Sequence, residues 1–237
     1  MSKPFQFKEF TIHQDKTAMK VGTDGVLLGA WVDLSTQPDS VLDIGTGTGV
    51  IALQIAQRSD CELIDALEIE PNAYEQAVGN FENSDWGDRL FCYHASLQEF
   101  TKEMEEPYDM IISNPPFYTD TFKSVEEKRA TARHTETLSF KELISATAKL
   151  LSPNGTCAFI IPYKEEEFFL EIAAQENLYP KRITRVKGNV KTPVKRSLLQ
   201  LSFDQNQPII NEIAIEIERH VYTDTYKDLV KDFYLKI

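Results

Sequence analysis

The sequence is short of several things, and each shortage narrows the classes open to it. No apolar run in its 237 residues approaches the roughly 20 needed to cross a bilayer, so no membrane span is expected. The amino-terminal stretch MSKPFQFKEF has no apolar h-region, so no signal peptide is expected either. Cysteine is scarce: Cys61, Cys92 and Cys157 are the only three. An odd number without metal-like spacing, set in or near apolar segments, reads as free thiols in a reducing compartment. A cytoplasmic location and no metal are therefore expected. There is no internal repeat, low-complexity tract or interdomain linker, and one domain over residues 1–237 is expected. Nothing points to an obligate protein partner. Positive charge is also short, with 25 Lys and Arg against 37 Asp and Glu and a net charge of −12. A uniformly basic nucleic-acid binder is excluded on that balance, which leaves local clusters to be examined.

What remains is an alternation of strand and helix signals. SVLDIG (40–45), ELIDALEI (62–69), LFCYH (90–94), YDMIIS (108–113) and GTCAFIIP (155–162) are short apolar runs of the buried-strand kind. Between them, GVIALQIAQR (49–58), PNAYEQAVGNF (71–81), residues 139–151 behind the N-cap candidate Ser139, and residues 164–177 read as helices. Such alternation predicts a parallel sheet covered on both faces. RSLLQLSF and EIAIEIE alternate apolar and polar residues instead, which predicts half-buried antiparallel strands at the end of the chain.

The glycine-rich turn VLDIGTGTG leaves the first of these strands and opens a helix, with Asp43, Gly45, Thr46, Gly47 and Gly49 as its elements. Glycines allow a sharp turn and close approach of backbone to ligand. The next strand ends in LEIEP, which places Glu68 roughly 20 residues beyond the turn, where a carboxylate can accept from both hydroxyls of a ribose. Glu68 and Glu70 share a strand face, so alternation does not choose between them; Glu68, at the strand end, is preferred. The spacing is GTGTG rather than the GxGxxG that holds a pyrophosphate, and Asp43 suits a cationic methionine group better than a diphosphate. A sulfonium methyl donor, S-adenosylmethionine, fits better than a dinucleotide. Ser96, after the third strand, is a candidate contact for the cofactor's adenine amino group and equally a turn serine.

The fourth strand runs directly into NPPF: Asn114, Pro115, Pro116 and Phe117. Two prolines hold Asn114 extended. Its side-chain oxygen and the Pro115 carbonyl can accept both hydrogens of a planar NH2 group, and Phe117 offers a face for stacking. Two such acceptors favour the pyramidal, nucleophilic form of an exocyclic amine, so catalysis rests on placement rather than on a base or a metal.

VLDIGTGTG, LEIEP and NPPF together resemble the class I amino-methyltransferases. With FTIHQDKTAMKVGTDGVLLGAW (10–31) and YTDTYKDLVKDFYLKI at the other end, the whole chain is similar to the bacterial tRNA adenine-N6 methyltransferases that act on the adenine beside the anticodon of a valine tRNA. The resemblance implies a Rossmann-like α/β fold: a mostly parallel seven-stranded sheet, antiparallel carboxy-terminal strands and helices on both faces. It implies that residues 1–35 cover the cofactor site and that 36–237 form the catalytic core. It also places Lys20, Thr23 and Asp24 near the methionine end of the cofactor, although KVGTDG read alone is a capped turn. Ser96 departs from the aspartate often found at its position.

KRITRVKGNVKTPVKR (181–196) holds seven cations and no acid: Lys181, Arg182, Arg185, Lys187, Lys191, Lys195 and Arg196. It is the expected phosphate-binding patch for a tRNA partner; solvated edge charges are the alternative. A smaller cluster, Lys128, Arg129, Arg133 and His134, lies in a polar stretch (118–137) expected to order on substrate binding. NPPF also suits guanine N2 or adenine N6 in ribosomal RNA, or a protein glutamine amide. A non-catalytic cofactor-binding or RNA-chaperone module and a dinucleotide-dependent oxidoreductase are the remaining alternatives.

Overall fold

The structure, a computed structural model, describes residues 3–116 and 138–237. Phe117 and the cluster Lys128, Arg129, Arg133 and His134 lie outside them, as does the stretch expected to order with substrate.

A short hairpin, β1 (Phe5–Gln6) and β2 (Thr11–Ile12), precedes helix α1 (Thr23–Trp31). Then strand and helix alternate: β3 (Ser40–Ile44), α2 (Val50–Arg58), β4 (Leu63–Glu68), α3 (Pro71–Glu82), β5 (Leu90–His94), α4 (Leu97–Glu103) and β6 (Tyr108–Ser113). After the undescribed residues come α5 (Phe140–Leu150), β7 (Leu151–Pro162), α6 (Glu166–Gln175), β8 (Tyr179–Asn189), β9 (Val194–Ser202), β10 (Ile209–Glu218), β11 (Val221–Tyr222) and α7 (Asp224–Val230). The main sheet runs β11-β10-β8-β9-β7-β6-β3-β4-β5. Strands β3 to β7 are mutually parallel, and β9 lies antiparallel between β7 and β8.

Alternate residues of the inner strands enter opposite cores, as a sheet covered on both faces requires. Val41, Ile112 and Ile160 pack with α1 and α2 on one side; Leu42, Ile111 and Phe159 pack with α4, α5 and α6 on the other. Ser139 caps α5 through Glu142, in a reciprocal capping box.

Two expectations need correction. The sheet has nine strands, not seven, because β10 and β11 extend it beyond β8. EIAIEIE lies in β10, which is antiparallel to β11 as expected but parallel to its other neighbour, β8. Chain β9 ends at the amino edge of the sheet, residues 203–208 pass β8, and β10 climbs again on its far side. Polar–apolar alternation reports one exposed face and carries no information on direction. Helix α1 was not legible as a helix. Residues 25–31 are buried without a polar face, so they show no stripe.

The amino-terminal segment is attached by buried amides of α3. The Asn80 side chain, 1% exposed, accepts from His13 N–H (2.9 Å) and donates to the carbonyls of His13 (2.9 Å) and Thr48 (2.8 Å). Gln76 accepts from Lys16 N–H at 2.9 Å. Asn80→Ala strips partners from three backbone groups and should cost about 1–3 kcal/mol in urea unfolding, with faster proteolysis within residues 13–22. Unchanged stability and protection would remove Asn80 as the anchor of this segment.

Candidate functional site

A cavity of about 750 Å³ opens at the carboxyl edge of the parallel strands. It sits where the order of strands reverses, β3 being followed by β4 on one side and β6 on the other, the place at which open α/β sheets bind ligands. Four segments form its walls: residues 17–25, the turn after β3, the ends of β4 and β5, and Asn114–Pro116 after β6.

The turn is pinned by hydrogen bonds to β4. The N–H groups of Gly45 and Thr46 donate to the Leu67 carbonyl at 2.9 and 3.0 Å, and that of Gly47 donates to Glu68 Oε2 at 2.9 Å. Gly45, Gly47 and Gly49 have φ of 72°, 59° and 81°, the left-handed region that favours glycine. A Cβ on Gly49 would also lie 2.5 Å from the Phe81 ring. Gly49 therefore serves the start of α2 and is not a lining residue, whereas Gly45, Thr46 and Gly47 line the cavity.

Asp43, expected as a cofactor contact, is not among the residues that line the cavity. Fully buried, it accepts from the Thr46 hydroxyl at 2.6 Å. Its role is to hold the turn. Burial pushes its carboxyl up from 3.8 to about 7, with the neighbouring Glu68 charge adding to the rise.

Glu68, 9% exposed, also accepts at Oε1 from the N–H groups of Ile69 and Glu70, both at 2.9 Å. Glu70 caps α3, accepting from Ala73 N–H at 2.7 Å and from the Asn72 amide groups. Both acids reach the cavity wall, but Glu70 is committed to the helix while Glu68 joins the strand end to the glycine turn. Ser96 lines the cavity and caps α4, donating its hydroxyl to Glu99 at 2.7 Å and accepting from Glu99 N–H at 3.2 Å. One lone pair remains, which suits an incoming N–H donor.

Across the cavity, Ser113 is paired in register with Ile44, and its hydroxyl donates to the Ile44 carbonyl at 2.7 Å. The glycine turn and Asn114 thus leave the sheet from adjacent, cross-linked residues. A Cβ built on Gly25 of α1 would stand 3.9 Å from Asn114 Nδ2 and 3.3 Å from Val50 Cγ1, so glycine there leaves room beside the asparagine. Lys20, Thr23 and Asp24 all line the cavity. Thr17, Met19 and Gly22 line it as well; nothing in their residue types singled them out, because backbone path rather than chemistry puts them there.

The basic stretch does not form one patch. Residues 181–189 run along β8 towards the carboxyl edge of the sheet, roughly 26 Å at strand rise. Lys181 and Arg182 lie in the first half of β8 and do not line the cavity. Arg182 stacks over Trp31 at 4.0 Å and donates to its carbonyl at 2.7 Å. Arg185 is bound to Glu166 (2.8 Å), Lys187 to Glu212 (2.7 Å) and Arg196 to Asp24 (2.8 Å). Lys191 and Lys195 are exposed on the β8–β9 hairpin at the carboxyl edge. Among the described residues no helix is long and apolar enough to cross a membrane, and no group of three His, Cys, Asp or Glu side chains could hold a metal.

A doubly wound sheet with antiparallel β9, a glycine turn at its reversal point, an acid closing β4 and Asn-Pro-Pro closing β6 is the arrangement of a class I methyltransferase. Residues 25–168 match the methyltransferase small domain family. Over the whole chain and 99% of the relative, the sequence is 59% identical to the tRNA1(Val) (adenine(37)-N6)-methyltransferase of Christiangramia forsetii. The enzyme of the same name from Trichodesmium erythraeum is 46% identical over 98% of both chains. Among solved structures, a predicted O-methyltransferase from Agrobacterium tumefaciens superposes with a TM-score of 0.67 at 16% identity, covering 89% of this chain and 96% of the other. Pyrococcus horikoshii TYW2 in complex with MeSAdo does so at 0.58 and 15%, over 84% of this chain and 69% of the other. The chain belongs to the methyltransferase small domain family.

The raised carboxyl of Asp43 makes stability depend on pH. The folded chain keeps the Asp43 proton up to about pH 7 while the unfolded chain loses it near 3.8. Asp43 therefore lowers stability progressively as pH rises between those values, and no further above them. The melting temperature of the wild type relative to Asp43→Asn should fall across that interval and then level off. A constant difference from pH 4 to 8 would contradict it.

Proposed function

We propose that this chain transfers a methyl group from S-adenosylmethionine to N6 of adenine in tRNA1(Val), at the position beside the anticodon that its relatives' names specify. The observation that carries the reading is the opening of Asn114-Pro115-Pro116 into the same cavity as the glycine turn, in a chain 59% identical end to end to an enzyme of that name. On this reading residues 1–237 act as one domain, with 1–35 covering the cofactor over the core formed by 36–237. The reaction takes place in the cytoplasm.

The residues present fit the cofactor. The left-handed turn at Gly45–Gly47 lets backbone approach it closely, and an added Cβ at either glycine would meet open space. Of the cavity-lining residues, Glu68 would accept from its ribose hydroxyls, Ser96 from its adenine amino group, and Lys20, Thr23 and Asp24 would hold its methionine end. The bound cofactor supplies an electrophilic methyl on a sulfonium. The Asn114 side-chain oxygen and the Pro115 carbonyl accept the two N6 hydrogens, turning the nitrogen lone pair towards the methyl. With the cofactor bound, its sulfonium would supply the methyl to N6, and the proton released would pass to water. Fixed acceptors at the site of charge development carry the rate.

Lys191 and Lys195 supply phosphate contacts from the carboxyl-edge hairpin; Lys187 and Arg196 reach the same edge already paired with acids.

The first test is transfer of labelled methyl to tRNA lacking the modification, with ribosomal RNA and protein extract in parallel. N6-methyladenosine in tRNA alone is expected; label in ribosomal RNA or protein instead would overturn the substrate assignment. Asn114→Ala should lower kcat on the order of 100-fold while cofactor affinity holds, and an equal loss of both would remove its catalytic role. Replacing Lys191 and Lys195 with Gln should reduce the slope of log K against log salt for tRNA by about 1–2. An unchanged slope would take the hairpin out of the interface.

A further inference from the structure

Tyr163 is the first residue after β7 and is 40% exposed. Strands β6 and β7 are parallel neighbours with Ser113 opposite Phe159. They reach the carboxyl edge as neighbours, and Tyr163, four residues beyond Phe159, emerges one strand over and roughly 13 Å further along than Ser113, from which the Asn114–Pro116 segment leaves. It does not line the cavity. A large aromatic ring is thus held in solvent at the same edge of the sheet as the Asn114–Pro116 segment, beyond the cavity wall.

The surroundings of that ring are built. The Arg185 guanidinium lies 5.5 Å from the Tyr163 ring centroid. Glu166, only 7% exposed, fixes the guanidinium from behind, accepting from Nη2 at 2.8 Å and from Nε at 3.2 Å. The buried Ser197 hydroxyl donates to the same carboxylate. Burying an acid is costly unless its charge is answered, and here the answer is an arginine pinned in a fixed plane. An arginine braced this way does not swing freely to a phosphate. It presents a flat cation against an aromatic ring, the combination on which nucleobases stack.

We propose that Tyr163, backed by Arg185, is the stacking platform for the nucleotide base next to the target adenine. The proposal rests on the RNA reading above and adds a second recognition site to it. Its ligand is an unpaired purine or pyrimidine ring adjoining the base that enters the cavity. Holding that neighbour on a fixed ring outside the cavity splays it from the target, since a base stacked within the loop cannot reach the two acceptors. Tyr163 is then a binding residue that touches the substrate, while Glu166 and Ser197 are positioning residues acting through Arg185.

The test uses the full-length enzyme and tRNA assembled with an abasic residue on one or the other side of the target adenine. Tyr163→Ala should raise KM for intact tRNA roughly 5- to 100-fold, leaving the melting temperature and S-adenosylmethionine affinity as in the wild type. Tyr163→Phe should restore KM. On one side of the target, the abasic residue should cost the wild type a similar factor and cost the Ala variant nothing more. Wild-type KM for intact tRNA in the Ala variant, or penalties that multiply when variant and abasic site are combined, would overturn the platform. So would the absence of an abasic penalty on either side in the wild type, a measurement that needs no variant. If the wild type methylates no tRNA at all, the proposed function fails and this inference with it. Methylation without any Tyr163 dependence fails the inference alone.

Discussion

Three consecutive backbone N–H groups, those of Gly45, Thr46 and Gly47, end on the last two residues of β4, and the rest of the site takes its place from that attachment. The turn cannot move without breaking bonds to Leu67 and Glu68, and α2 starts where the turn ends. Asn80 carries the constraint further, because one side chain holds both the Thr48 carbonyl at the end of the turn and the backbone of His13. The amino-terminal segment that forms the opposite wall is therefore referenced to the same turn. Only one ionisable group in this chain of contacts is fully buried, Asp43, and its carboxyl is poised close to neutrality. The arrangement combines a rigid backbone cradle with a supporting acid whose charge is expensive.

Much of this was legible because the signals were local. Strand–glycine turn–helix, an acid at the end of the next strand and Asn-Pro-Pro at the end of the fourth are each readable over a few residues. The structure places all three on one cavity. Strand direction at the sheet edge was not legible, because β10 shows the same alternation whether its neighbour runs with it or against it. Helix α1 was hidden for the opposite reason: its burial on all sides leaves no period to detect. Asp43 and Gly49 stand within the motif yet off the cavity wall, because a motif records which residues a turn needs and does not separate those that support it from those that face a ligand.

The stretch 181–196 shows what composition conceals. Seven cations without an acid look like one surface, but a strand carries them past different parts of the molecule. Arg182 is packed on Trp31. Arg185, Lys187 and Arg196 each meet an acid distant in sequence, Glu166, Glu212 and Asp24. An ion pair with a partner far along the chain is invisible to a count of charges in a window. The exposed cations that remain are Lys181, on β8, and Lys191 and Lys195, on the β8–β9 hairpin.

The bond between Ser113 and Ile44 bears on how such a site can work. A base catalyst tolerates some misplacement, since a proton can pass through an intervening water. Two acceptors that must meet two hydrogens of one amino group tolerate little, because a displaced oxygen no longer selects the reactive geometry. The acceptors after β6 and the cradle after β3 must then keep their separation as the molecule fluctuates. Paired residues on adjacent strands, tied by both ladder and side chain, are the stiffest place in a sheet from which to launch two loops. The glycine turn and the Asn114–Pro116 segment leave from there, so on the proposed reading the distance that the reaction depends on is set within the sheet, where the core on both faces restrains it.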